Sequence, residues 1–124
     1  MAANKAFRAG PVALTTTLTT DILNCNITSA AGPVGFTGTD YYLIIRHISI
    51  VNKTGSNATF SLYLGATGAN AAGTEIIGIG TTVAGNSRHD WYGMLRLDAA
   101  DFIVGGSNTA TALTILFEGE IGVI

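Results

Sequence analysis

The feature that most constrains this sequence is an alternation of apolar and polar side chains with a period of two. It is clearest in residues 58–66, where Phe60, Leu62 and Leu64 alternate with Thr, Ser and Tyr. A period of two places successive side chains on opposite faces of a β-strand. Because no segment shows a sustained helical period, we predict an all-β protein with little or no helix.

Further segments are predicted as strands. Residues 41–51 are apolar on both faces, which is typical of a central strand. In this strand His47 is expected to share a face with Leu43, Ile45, Ser49 and Val51. The turn residues 52–57 are expected to join this strand to the next as a hairpin. The other predicted strands are 12–18, 75–79, 81–83, 88–97, 102–104 and 113–123.

Seven or eight short strands with Gly and Asn turns and only two prolines favour a single antiparallel β-sandwich, of jelly-roll or immunoglobulin-like topology. The 124 residues suffice for one such domain. We predict an N-terminal arm over 1–10 and the sandwich over 11–124. A helical turn is possible at Asp98–Asp101, and the Gly-rich segments 30–39 and 65–73 are expected to be partner-facing loops.

Charge is scarce and evenly spread. Only 11% of residues are charged, the net charge is −2, and the six basic residues are scattered along the chain. This pattern argues against a nucleic-acid or anionic-membrane partner. No apolar run is long enough to cross a membrane. The N-terminal cations lack a following apolar segment, so we expect no secretory signal and a protein made and kept in the cytoplasm.

Residues capable of catalysis or metal binding are also few. His47 and His89 lie on different predicted strands, and the single cysteine, Cys25, has no convincing partners. Glu118 and Glu120 lie two apart on one strand face, which is typical of a solvated or ion-paired surface. We therefore predict a non-enzymatic protein with no catalytic residues, no cofactor and no metal site.

Three segments carry a resemblance to a known class of proteins. Residues 64–75, 91–102 and 113–120 resemble small β-sandwich virion proteins of tailed bacteriophages. These include the decoration, or cement, proteins that clamp the outer shell. The resemblance implies a homotrimer on the capsid surface of the virion that binds the major capsid protein and stabilises the shell. A neck or tail subunit fits the same composition.

The resemblance makes the N-terminal residues and the Gly-rich loops contact candidates, and aromatic pairs are typical of subunit interfaces or sugar-stacking platforms. A carbohydrate-binding module for host attachment is therefore the competing interpretation, and it requires an exposed platform around Tyr63, Trp91 or Tyr92. The predicted partner-contact residues are Asn4, Lys5, Phe7, Arg8, Tyr41, Tyr42, Trp91 and Tyr92.

Overall fold

A computed structural model describes residues 5–17, 21–24, 41–65, 73–98 and 101–123. These residues form eight strands and no helix, which confirms the predicted all-β class and strand number. Asn4, Cys25, the loop 30–39 and most of 65–73 lie outside the described residues. The strands are β1 (Lys5–Ala13), β2 (Asp21–Asn24), β3 (Tyr41–Asn52), β4 (Ala58–Leu64), β5 (Glu75–Val83), β6 (Arg88–Leu97), β7 (Phe102–Ser107) and β8 (Leu113–Val123).

The strands form two four-stranded antiparallel sheets. Sheet A has the order β1-β8-β3-β6, and sheet B has the order β2-β7-β4-β5. The first strand pairs with the eighth, the second with the seventh, the third with the sixth and the fourth with the fifth. This nested pairing is that of an eight-stranded jelly roll, not of an immunoglobulin-like sandwich.

The core lies between the two sheets and is filled by alternate residues of the strands. In β4, Phe60 and Leu62 are fully buried, and in β8, Ile115 and Phe117 are fully buried. These positions follow the predicted alternation. Nine further large side chains are fully buried: Leu14, Ile22, Leu23, Leu43, Ile45, Ile48, Ile50, Leu97 and Ile103.

The predicted hairpin between β3 and β4 is wrong, because these strands lie in different sheets. The connection crosses the sandwich and is held by Asn52, whose side chain is 1% exposed. Its Nδ2 donates to the carbonyl oxygens of Ser56 at 2.8 Å and Val83 at 3.0 Å. Its Oδ1 accepts from the backbone N–H of Thr54 at 2.9 Å. These hydrogen bonds pair backbone groups of the connection between β3 and β4, although the two strands do not form a hairpin.

The predicted N-terminal arm differs from the structure from Lys5 onward, because these residues form β1 and pair with β8. Phe7 and Ala9 of this strand are buried in the core. The register shifts between Ala9 and Val12, so Gly10, with φ +93°, and its neighbour form a bulge. That bulge interrupts the alternation and hides the strand from a period-two search.

A second bulge corrects the predicted position of His47. The pairing of β3 with β8 shifts register between Ile45 and His47. Ile45 and Ile48, three residues apart, are therefore both buried. Arg46 and His47 both project from the outer face of sheet A, so His47 does not share a face with Ile45.

Candidate functional site

The outer face of sheet A holds half of the charged residues of this charge-poor chain. They alternate along their strands with buried residues, so they project away from the core. Among the side chains that the structure describes, four basic and three acidic ones lie there, whereas the whole sequence has six basic and eight acidic residues. We call this surface the charged face, and its residues are Arg8, Arg46, Arg88, Asp90, Arg96, Glu118 and Glu120.

His47 stands at the centre of the charged face between two carboxylates. Its Nε2 lies 2.8 Å from Oδ1 of Asp90, and its Nδ1 lies 3.1 Å from Oε1 of Glu118. Its ring stacks on Tyr92 with centroids 4.6 Å apart. Only the imidazolium can donate from both nitrogens at once. The arrangement therefore favours a protonated His47 that links β3, β6 and β8.

The hydrogen bond to Asp90 raises the pKa of His47 above its ordinary value of 6.5, although partial burial opposes the shift and Glu118 supports it. The same hydrogen bond from His47 lowers the pKa of Asp90 below its ordinary value of 3.8. The side chain of His47 is 21% exposed, so solvent still reaches it. The pair is therefore ionised across mildly acidic pH.

Ion pairs fix the arginines around this centre. Arg46 Nη2 lies 3.0 Å from Oε2 of Glu120, and Arg88 Nε lies 2.9 Å from Oδ2 of Asp90. The guanidinium of Arg96 lies 4.4 Å from the centroid of the Tyr42 ring. Exposed ion pairs contribute little to folding stability. Their effect here is to hold the charged groups in fixed positions on the sheet.

The edge strands of the two sheets, as the described residues form them, expose large apolar side chains. On β6, the edge strand of sheet A, Tyr92 is 70% exposed and Met94 is 66% exposed. On β5, the edge strand of sheet B, Ile79 is 61% exposed. Clustered exposed apolar residues at a sheet edge are typical of association surfaces.

Only some of the predicted partner-contact residues lie on the outer face of sheet A. Arg8 is exposed on the charged face, and Tyr42 lies there under Arg96. Phe7 is buried in the core, and Trp91 packs against the core from the inner face of β6. Tyr92, its neighbour, is exposed on the outer face.

Asn4 lies outside the described residues, and Lys5 and Tyr41 are the first residues of β1 and β3. Tyr63 is buried. The proposed aromatic platform around Tyr63, Trp91 or Tyr92 is thus reduced to Tyr92.

The sequence interpretation missed Arg46 and Met94. Arg46 could have been found, because regular alternation from the buried Leu43 and Ile45 already places it on the outer face. The bulge in β3, which no local pattern indicates, adds His47 to the same face. Met94 could also have been found, because Leu95 and Leu97 mark the inner face of β6, although the pairing of β6 with β3 shifts register between Tyr92 and Leu95. Strict application of the period-two rule to 88–97 would have placed Met94 beside Tyr92.

The charged face predicts a pH dependence of folding. Because the folded pKa of His47 is raised, its stabilising contribution is fully present below its ordinary pKa of 6.5 and is lost as pH rises through the folded pKa. The Asp90 contribution is present above 3.8 and is lost as pH falls through its lowered folded pKa. We therefore expect a higher urea midpoint at about pH 6 than at about pH 8.5.

His47→Gln should flatten that difference, whereas His89→Gln is the matched control. The ring of His89 lies 5.5 Å from Phe60, away from the carboxylates of the charged face. The control should retain the wild-type pH dependence whatever its overall stability. Equal slopes in both variants would contradict the assignment to His47.

Within the described ranges, no group of three or more His, Cys, Asp or Glu side chains is arranged to hold a metal ion. The same residues contain no helix that is long and apolar enough to cross a bilayer. The sequence matches no protein-family model and no curated protein with which it was compared.

Proposed function

We propose that the protein is a non-enzymatic structural subunit of a tailed-bacteriophage virion. More specifically, we propose a capsid decoration protein that binds the major capsid protein at the shell surface and stabilises the shell. The observation that carries the proposal is the charged face, because it concentrates ordered charge on one flat surface of an otherwise bland protein.

The fold is compatible with this role but does not distinguish it from other roles. Jelly rolls occur in viral capsid proteins, and also in lectins and cupins. Fold alone does not determine function. The choice therefore depends on the residues that the sandwich presents.

The charged face fits a protein partner better than a nucleic acid. Arginines and carboxylates are neighbours on this face: Arg8 lies opposite Glu118, Arg46 pairs with Glu120 and Arg88 pairs with Asp90. A phosphate backbone would meet these carboxylates as well as the arginines, which weakens its binding. A protein surface with the complementary pattern of charges would satisfy both signs.

The proposal includes the assembly and location that the resemblance implies. The protein would be made in the host cytoplasm and would add to the capsid surface as a homo-oligomer. It would need no cofactor, nucleic acid or membrane. Labelling intact virions and viewing them by electron microscopy would separate a capsid location from a neck or tail location.

Co-sedimentation with undecorated shells of the major capsid protein tests the role. Wild-type protein should pellet with the shells, and added salt should weaken binding because exposed charges are screened. The double variant Arg8→Glu, Arg46→Glu should bind at least about tenfold more weakly, a loss of about 1.4 kcal/mol.

Lys53→Glu is the matched control, since Lys53 is exposed in the turn after β3 and lies off the charged face. It should change shell affinity by less than about twofold. Circular dichroism should confirm that all variants are folded. Absence of wild-type protein from the shell pellet would contradict the decoration role.

A carbohydrate-binding module is the second candidate, and the exposed ring of Tyr92 is the observation that favours it. Aromatic rings at a protein surface can stack on sugars. Screening the free protein on a glycan array, with Tyr92→Ala as the comparison, distinguishes the two roles. Glycan binding that depends on Tyr92 would support attachment to a host over shell binding.

A further inference from the structure

We propose that two copies of this chain associate edge to edge through β6, antiparallel, with a two-fold axis at Gly93. The two copies of sheet A would then form one continuous eight-stranded sheet. This inference concerns self-association, and it does not depend on the proposed function.

The first argument is the position of β6. It pairs with β3 on one side and is the edge strand of sheet A on the other. At ten residues it is long for an edge strand, and it carries the exposed Tyr92 and Met94. A long edge with exposed apolar side chains is a template for pairing with another strand.

The second argument is the order of side chains on the outer face. From Arg88 to Arg96 every second residue projects outward, although the pairing of β6 with β3 shifts register between Tyr92 and Leu95, around Gly93. Asp98 continues the row through its 2.9 Å contact with Arg96. The row reads Arg88, Asp90, Tyr92, Met94, Arg96, Asp98. Charges flank an apolar centre, with opposite signs at matching positions about Gly93.

An antiparallel two-fold pairing at Gly93 makes every opposed outer pair complementary. Arg88 faces the partner's Asp98, and Asp90 faces the partner's Arg96. Tyr92 faces the partner's Met94. Directly opposed pairs of opposite charge or of apolar side chains stabilise antiparallel strands. The contact is isologous, so each pair occurs twice.

Neighbouring registers lack this complementarity. Both outer faces must lie on the same side of the joined sheet, so the register can move only in steps that keep outward residues opposite outward residues. Centring on Tyr92 opposes Arg88 to the partner's Arg96. Centring on Met94 opposes Asp90 to the partner's Asp98. Like charges directly opposed are destabilising, so both alternatives are disfavoured.

The third argument is the inner row of the same strand. In the proposed register Trp91 faces the partner's Leu95, and both residue types pack against the core in each chain while remaining partly accessible. Gly93 faces the partner's Gly93 on the axis. A Cβ at Gly93 would lie 2.6 Å from Cζ2 of Trp91, so the indole already occupies the space above the axis. The partner would therefore meet an apolar ring and no competing side chain.

Cysteine cross-linking tests the register directly. Facing residues of antiparallel strands have Cα atoms about 4.5–5.5 Å apart, which a disulfide can span. With Cys25→Ser in every chain, an equal mixture of Arg88→Cys and Asp98→Cys chains should form a covalent dimer under mild oxidation by diamide. Each variant alone should not, because its own cysteines lie at opposite ends of the joined strands.

A mixture of Arg88→Cys and Arg96→Cys chains is the matched control for the Tyr92-centred register. Efficient cross-linking of that mixture, or none in the Arg88→Cys and Asp98→Cys mixture, would overturn the proposed pairing.

Solution mass by light scattering is the second measurement. The wild-type chain should show the mass of two chains, and Met94→Asp should reduce it to one at the same concentration while the circular dichroism spectrum is unchanged. Ile79→Asp alters an equally exposed residue on β5 and should leave the mass at two chains.

A wild-type mass of one chain at all concentrations would overturn the inference, and so would a mass of three, because an isologous contact alone cannot produce a trimer. Shell binding is measured by co-sedimentation of the Arg8→Glu, Arg46→Glu variant, whereas self-association is measured by cross-linking and mass. Failure of one proposal is therefore distinguishable from failure of the other.

Discussion

Replacing Gly119 by alanine is expected to destabilise the protein by about 3 kcal/mol, because the added methyl group has no room. Gly119 lies on β8 opposite Ile45, next to the bulge in β3. Its Cβ would overlap the carbonyl oxygen of Ile44. A backbone oxygen in the middle of a sheet cannot rotate away, so the pairing of β3 with β8 must open locally. The free energy of unfolding in urea measures the loss.

Gly55→Ala is the matched control for this prediction. The nearest heavy atom to a Cβ at Gly55 is Nδ2 of Asn86, at 3.9 Å, and Gly55 does not have a positive φ. We expect its free energy of unfolding to change by less than about 1 kcal/mol. Comparable losses in the two variants would show that the bulge in β3 does not constrain Gly119 as described.

Replacing Asn52 by aspartate is expected to cost about 3 kcal/mol or more at neutral pH. The change is nearly isosteric, but it replaces the Nδ2 donor by an oxygen that faces the carbonyl oxygens of Ser56 and Val83. The two carbonyl oxygens repel the buried charge, and the N–H and hydroxyl of Thr54 compensate it only in part. Protonation would restore one donor, so the deficit should shrink as pH falls toward about 4.

Asn108→Asp provides the comparison, because Asn108 is exposed and uses only its oxygen, accepting from the N–H of Thr59 at 2.8 Å and from Thr109. A carboxylate keeps that role, so we expect a change of less than about 0.5 kcal/mol. Urea unfolding of both variants at several pH values tests the pair. A small, pH-independent effect of Asn52→Asp would contradict the assigned hydrogen bonds.

The fold class could be predicted because the local alternation of apolar and polar residues identifies the strands. Phe60 and Leu62 in β4 and Ile115 and Phe117 in β8 repeat strictly every second residue. The choice between jelly roll and immunoglobulin-like topology could not be made, because it depends on which distant strands pair. No local sequence pattern indicates that β1 pairs with β8.

The errors in the site have the same physical origin. Bulges add a residue to one strand, and they shift every later side chain to the other face. The bulge in β3 moved His47 away from the face of Ile45, and the bulge at Gly10 concealed β1. The sequence interpretation did not separate Tyr92, which is exposed, from Trp91, which packs against the core. Adjacent residues of a strand face opposite sides, so a pair of aromatic residues cannot form one platform.

The position of β8 in sheet A has a consequence for how the chain folds. β8 lies between β1 and β3, and among the described strands of that sheet β1 pairs with β8 alone. It is also the last of the eight strands along the chain. During synthesis β4 and β5 can pair early, since they are close in sequence, but sheet A cannot close until β8 emerges. Pairing of distant strands is slow, and the inner apolar faces of β1 and β3 stay exposed meanwhile. We expect the nascent protein to depend on chaperones until its final strand inserts.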